Sequence, residues 1–223
     1  MTEHGLQGRL LNKESNDMNL PNKITIGRVV MVGILIVLLA FPYTNFGISI
    51  PIISGDINLI YLIGGIIFLI ASFSDFLDGY IARKFNLVTD FGKFMDPVAD
   101  KVLVDASLIF LMIRPVYAAS SQIVVMPLIV IIFIARDLIV DAMRLVASGK
   151  KVVVAANIFG KLKTVAQMIA VTFLFLNDWP FSFLGLPQYL TVTDLLVYLA
   201  ALLSLASGVI YIIQNKRVFQ DNA

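Results

Sequence analysis

Runs of about twenty mostly apolar residues recur along the chain, at about 24–41, 59–83, 93–113, 122–147, 156–177 and 190–214. A helix of that length rises roughly 30 Å, the thickness of the hydrocarbon core of a bilayer. With 59% hydrophobic residues, 14% charged residues and a mean hydropathy of +0.90, the composition excludes a soluble globular domain. The expected fold class is all-α, a polytopic membrane protein of six transmembrane helices. Phe41-Pro42 and Trp179-Pro180 close two of the runs, with aromatic residues where an interfacial belt would lie. No internal repeat and no low-complexity tract interrupts the series.

Residues 1–20 are polar, mixed in charge and without the apolar core of a signal peptide, so they are expected to form a tail. The six-helix domain is expected over 21–216, with a short cytoplasmic tail at 217–223. Placing the N-terminus inside puts every basic residue except Arg114 on the inner half of the membrane, while Asp56 and Asp178 fall outside. That asymmetry favours an N-in, C-in topology. There is no cysteine, so a disulfide framework and a thiolate metal site are excluded. The one histidine, His4, lies in the polar tail, which removes a histidine-based metal site or general base. A net charge of +2 gives no sign of a nucleic-acid partner.

Against this apolar background, carboxylates crowd one stretch. Asp75 and Asp78 lie three apart, and Asp96 and Asp100 lie four apart, so each pair shares a helix face. Four converging carboxylates repel one another unless cations neutralise them. Hard oxygen ligands in that number favour Mg2+ or Mn2+, in a paired-metal site. Pairing with Arg83, Lys84, Lys93 and Lys101 would account for two or three of the acids, but not for the small residues at fixed offsets between them. Gly79 and Ala82 lack bulk, which suits close approach of a nucleotide or of a neighbouring helix. Arg83 is suited to hold a phosphate with two parallel hydrogen bonds.

Written out, the stretch is Asp75-x2-Asp78-Gly79-x2-Ala82-Arg83-x8-Gly92-x3-Asp96-x3-Asp100. It resembles the signature of the CDP-alcohol phosphotransferase family at every fixed position. The resemblance implies an integral membrane enzyme transferring a phosphatidyl or similar group from a CDP-linked donor to an alcohol. It implies two divalent cations, Mg2+ or Mn2+, with Asp75, Asp78 and Asp96 as ligands. Asp100 is implied as the proton acceptor that activates the alcohol while touching the second metal; from the residues alone, any of the four acids could be the base. Gly79, Arg83 and Thr89 are implied contacts of CDP-diacylglycerol. Asn22, Thr25 and Arg28 are further donor-site candidates, which helix capping and anchoring explain equally well. The resemblance also implies a homodimer, with Gly64-Gly65 as a candidate contact, embedded among membrane lipids of a bacterial cell membrane, and the asymmetry of basic residues puts the aspartate stretch, and so the active site, at the cytoplasmic face.

The fourth and fifth runs carry a second polar set: Arg136, Asp137, Asp141 and Arg144, then Gly160-Lys161-Leu162-Lys163-Thr164 and Gln167. Ionisable residues inside spans are costly and should face a bundle interior or a wet cavity. Pairing of Asp141 with Arg144 would absorb part of the charge, but basic residues outnumber acids across 136–167. The surplus suits a phosphorylated acceptor, with Arg136, Arg144, Lys161 and Lys163 as the candidate contacts. Lys150-Lys151 read as anchors for anionic headgroups. The set resembles the branch of the family whose acceptor is sn-glycerol 3-phosphate, which implies phosphatidylglycerol phosphate and CMP as products. That branch often has Glu after the arginine, where this chain has Asp137. Other branches, using phosphatidylglycerol or inositol phosphate as acceptor, would share the aspartates. An intramembrane prenyltransferase would lack the Gly-x2-Ala-Arg spacing. A cation transporter would need acids deep in several spans rather than near one face.

Overall fold

The computed structural model describes residues 20–53, 57–84, 90–113, 123–150, 158–187 and 190–216. Six long helices lie among them: α1 (Leu20–Ala40), α2 (Leu59–Lys84), α3 (Asp90–Met112), α4 (Pro127–Gly149), α5 (Ile158–Phe175) and α6 (Val192–Gln214). No β-strand occurs among the described residues; an isolated bridge joins Ile52 and Asn58. Each apolar run therefore corresponds to a helix. The start of α4 falls later than hydropathy suggests because residues 123–126 are not helical, Met126 being extended, and Pro127 opens the helix, where its missing amide costs nothing.

Among the described residues, four stretches are long and apolar enough to cross a membrane: Asn22–Ala40, Leu59–Leu77, Ile158–Phe175 and Val192–Gln214. α3 and α4 are as long but carry the acids and bases singled out above, and α3 also contains Pro97. Proline removes one rung of the helical ladder, here in the segment that carries Asp96 and Asp100. The exposed faces are themselves apolar. Val30, Ile34 and Val37 on α1, and Leu195, Leu199, Leu202 and Val209 on α6, lie on the outside. A helix apolar on its buried and outer faces alike belongs in lipid.

The chain divides into two compact units, Met1–Leu35 with Ile67–Leu103, and Ile36–Ile66 with Val104–Ala223. In the first, Val32, Leu35, Phe68, Ala71, Ala99 and Leu103 are buried. In the second, α6 packs on α4 and α5. Its inward stripe is made of small residues, Ala200, Ala201, Ser204, Ser207 and Gly208, which let backbones approach closely. Gly65 is buried within the same unit. A Cβ there would stand 3.0 Å from the Phe175 Cβ, while the Tyr61 ring meets Phe175 edge-on at 6.2 Å. The glycine considered above as a contact between copies thus packs inside the chain.

The α5–α6 connection is held by side chains. Asn177 and Asp178 adopt positive φ angles of 50° and 65°, a region that Asn and Asp tolerate best among residues with a Cβ. Asp178 Oδ1 accepts from both the amide and the hydroxyl of Thr193, each at 2.7 Å. Asn177 Oδ1 accepts from the Ile123 amide at 2.9 Å. Thr191 and Asp194 close a capping box on α6, a feature worth about 1 kcal/mol. Asp178, whose position was legible only as an acid on the outer side, thus ties a buried turn.

Candidate active site

The first polar centre lies in the first unit and begins with three residues on α1. Asn22, Thr25 and Arg28 follow one another at intervals of three and so occupy neighbouring positions on one helix face. Thr25 is 2% exposed and Arg28 is fully buried. A guanidinium in that position needs a counter-charge. Arg28 Nη1 donates to Asp75 Oδ1 on α2, and its Nη2 lies 3.8 Å from Asp96 Oδ1 on α3. Thr25 Oγ1 donates to the same Asp96 oxygen at 2.9 Å. Carboxylates from two helices therefore converge on one cation supplied by a third.

Asp75 and Asp96 remain about a third exposed at their side chains, 35% and 37%, so the pairs are anchored from inside and open on the other side. Asp100 is half-buried one turn beyond Asp96, and Gly79 and Gly92 are half-buried in α2 and α3. The backbone of Asp78 lies in α2, one turn from Asp75; its side chain, like that of Arg83, lies outside the described residues, as does Thr89 altogether. Among the described residues, no group of three His, Cys, Asp or Glu side chains is arranged to hold a metal ion. The donor chemistry nevertheless suits hard divalent cations. Asp75 and Asp96 present carboxylate oxygens beside a hydroxyl, with no nitrogen or sulfur ligand. They also already converge on a positive group.

The second polar centre lies within the second unit, among α4, α5 and α6. Asp137 is its hub. Lys163 Nζ donates to both Asp137 oxygens, at 2.8 Å to Oδ1 and 2.6 Å to Oδ2. Arg136 Nη1 donates to Asp137 Oδ1 at 2.8 Å, and its Nη2 donates to Ser207 Oγ at 2.9 Å. Two glycines make room for this arginine. A Cβ on Gly208 would stand 3.0 Å from Arg136 Cγ, and one on Gly160 would stand 3.6 Å from its Nη2. Lys163 is 4% exposed, with Nζ 5.9 Å from the centre of the Phe133 ring. Arg136 Nε, Gln167 Nε2 and Ser204 Oγ are buried without a hydrogen-bond partner among the described residues, so this interior retains unmet polar capacity.

Two turns along α4, Arg144 is exposed. Its Nε donates to the Tyr211 hydroxyl at 3.2 Å, and its guanidinium carbon sits 5.7 Å from the centre of that ring. Tyr211 is buried against Val140 and Met143. Lys161 is also exposed, but residues two apart on a helix point to nearly opposite sides, so it does not share the buried face of Lys163. The four basic candidates thus divide: Arg136 and Lys163 share one carboxylate, Arg144 rests on an aromatic ring, and Lys161 stands apart.

Ser207, Gly208 and Tyr211 were not singled out from the sequence. Their signal was present in Ser204-x2-Ser207-Gly208-x2-Tyr211, a small and polar stripe at helical spacing inside an otherwise aliphatic helix. The partnership of Arg28 had a signal too, since a lone arginine within an apolar run demands an opposite charge.

Comparison with known proteins places these centres in context. A family model described as CDP-alcohol phosphatidyltransferase matches residues 18–206. A Bacillus subtilis (strain 168) protein named CDP-diacylglycerol--glycerol-3-phosphate 3-phosphatidyltransferase is 41% identical over 197 residues, covering 88% of this chain and 95% of its own. Proteins of the same name from Mycoplasma genitalium and Rickettsia bellii are 42% identical over 176 residues and 34% over 203. The match covers 76% of this chain and 70% of the Mycoplasma protein, and 91% and 98% for the Rickettsia protein. The first polar centre and the α4 and α5 residues of the second, from Asn22 through Gln167, fall inside the matched span, with Ser207, Gly208 and Tyr211 just beyond it, and the chain belongs to the CDP-alcohol phosphatidyltransferase family.

Proposed function

We propose that this chain is a membrane enzyme of phospholipid synthesis that transfers the phosphatidyl group of CDP-diacylglycerol to sn-glycerol 3-phosphate, giving phosphatidylglycerol phosphate and CMP. The observation that carries this reading is the convergence of Asp75 and Asp96 on Arg28, within a chain so similar to relatives bearing that activity as their name. Asp75, Asp78, Asp96 and Asp100 would hold two divalent cations, Mg2+ or Mn2+. Bound there, such cations supply positive charge that offsets the diphosphate of the donor and the charge developing on the leaving group.

The chain's own groups do the rest. Asn22, Gly79, Arg83 and Thr89 bind the CDP moiety, with glycine admitting the nucleotide close to the α2 backbone. Asp100 takes the proton of the attacking hydroxyl. The hydroxyl oxygen bonds to the lipid-side phosphorus as that phosphorus breaks its bond to the oxygen leaving with CMP. Arg136, Arg144, Lys161 and Lys163 provide the positive field for the acceptor phosphate. Arg144 is the most accessible cation of this set with a fixed orientation, because Tyr211 holds it by ring and hydroxyl together. The six helices all span the membrane with both termini inside, so the chemistry takes place at the cytoplasmic face of a bacterial cell membrane, in a homodimer.

An acceptor panel tests this reading. Purified enzyme in lipid micelles with CDP-diacylglycerol and Mg2+ should release CMP with glycerol 3-phosphate, and far less with inositol phosphate, serine, inositol or phosphatidylglycerol. Faster release with any other acceptor, or none with glycerol 3-phosphate, overturns it.

A further inference from the structure

We infer that Arg28 and Thr25 are positioning residues of the carboxylate cluster, holding Asp75 and Asp96 in place before a cation arrives. The inference rests on the two-cation reading and adds to it a part of the machinery that lies on α1. Arg28 is fully buried, so it presents no surface to a nucleotide. Its two outer nitrogens point to different helices, Nη1 to Asp75 on α2 and Nη2 toward Asp96 on α3. The guanidinium is planar and rigid, so one group fixes two carboxylates at a set separation. Thr25, one turn earlier, gives Asp96 Oδ1 a second donor at 2.9 Å.

Like charges at this density push apart when no cation is bound. One arginine among the acids offsets part of that repulsion and keeps α2 and α3 in register at the site. Partners that orient metal-binding carboxylates from behind typically change metal affinity by about 10–100-fold when removed. A lysine keeps the charge but is a compact cation without the fork, so it is expected to restore only part of the effect.

The test is Mn2+ binding, followed by electron paramagnetic resonance on the full-length protein in micelles, beside its melting temperature. Arg28→Gln should weaken Mn2+ binding about 10–100-fold, with Arg28→Lys intermediate and Thr25→Val showing a smaller loss at an unchanged melting temperature. CDP affinity at saturating Mn2+ should stay close to wild type in each. If Arg28→Gln does not fold, Thr25→Val decides alone, since it removes one hydroxyl and keeps the volume. Unchanged Mn2+ affinity in folded Arg28→Lys and Thr25→Val overturns the inference. So does a loss of CDP affinity without a loss of Mn2+ affinity, which would make Arg28 a donor ligand. A wild-type protein that binds no Mn2+ would instead defeat the two-cation reading itself.

Discussion

Loss of the Asp137 carboxylate should cost the fold several kcal/mol, and the cost can be apportioned. It is the shared counter-charge of two cations, Lys163 through both oxygens and Arg136 through one. The side chains are 18%, 4% and 14% exposed respectively, so none can turn fully to water. Asp137→Leu leaves two positive groups buried together. Removing one partner of a buried pair costs about 3–5 kcal/mol, and here the two cations also repel each other, with Asp105 the carboxylate whose charge still acts on Lys163. Lys163→Met should cost less, about 1.5–3 kcal/mol for the lost charged hydrogen bonds, because Arg136 still neutralises Asp137. The double variant Asp137→Leu with Lys163→Met removes one charge of each sign and should be more stable than Asp137→Leu alone. Denaturant unfolding in mixed micelles, followed by helical circular dichroism, gives the three free energies. If Asp137→Leu and Lys163→Met cost the same, or if the double variant loses their sum, Asp137 is not a shared counter-ion and the hub is wrongly drawn.

Asp100→Asn should lower kcat by roughly 10²–10⁴-fold while donor binding survives better than in Asp78→Asn, measured as CDP binding in Mg2+; near-normal turnover would remove Asp100 as the base. Arg144→Ala should raise the KM for glycerol 3-phosphate while leaving that for CDP-diacylglycerol, and Arg83→Ala should do the reverse; steady-state kinetics with each substrate varied would reveal a misplaced acceptor site if both raised only the donor KM. Gly208→Ala should destabilise by about 1–3 kcal/mol because its methyl meets Arg136 Cγ at 3.0 Å, whereas Gly160→Ala, at an ordinary contact distance of 3.6 Å from Nη2 of the same side chain, should be tolerated. Melting temperatures of the two alanine variants, compared side by side, check that contrast.

Much of the fold was legible because lipid imposes a simple rule: an apolar run long enough to span a bilayer becomes a helix. The residues that escaped this reading did so for physical reasons. Pro127 moved the start of α4 because a missing amide, rather than hydropathy, sets where a helix can begin. Asp178 looked like a loop acid on the outer side, yet it is 5% exposed and bonds Thr193. Buried turns satisfy backbone amides with side chains, and composition carries no trace of that. In the aspartate cluster, spacing places Asp75 with Asp78 and Asp96 with Asp100, because both are relations within one helix. It says nothing of how α1 meets α2 and α3. Spacing alone offers Arg28 and Thr25 as donor contacts or caps, and their bonds to Asp75 and Asp96 depend on register between helices.

Charge counting had the same limit. Between 136 and 167 the basic residues outnumber the acids, which reads as an excess available to a phosphate. Pairing decides where that excess is delivered. Asp137 engages Arg136 and Lys163 together, so these three residues carry a single net positive charge, held in the interior. Of the four candidate cations, those presented outward are Arg144, steadied by Tyr211, and Lys161. A phosphate attracted by the whole set would meet Arg144 or Lys161 first, with Arg136 and Lys163 acting from behind as a fixed positive field. Substituting Arg136 or Lys163 should therefore disturb the packing of α4 against α5 and α6 together with acceptor affinity. A change at Arg144, whose side chain is exposed, should act chiefly on affinity and cost about 0.5–1 kcal/mol of stability for the lost contact with Tyr211. The total charge of the stretch falls by one unit in all three cases, so only the placement of the charge can separate them.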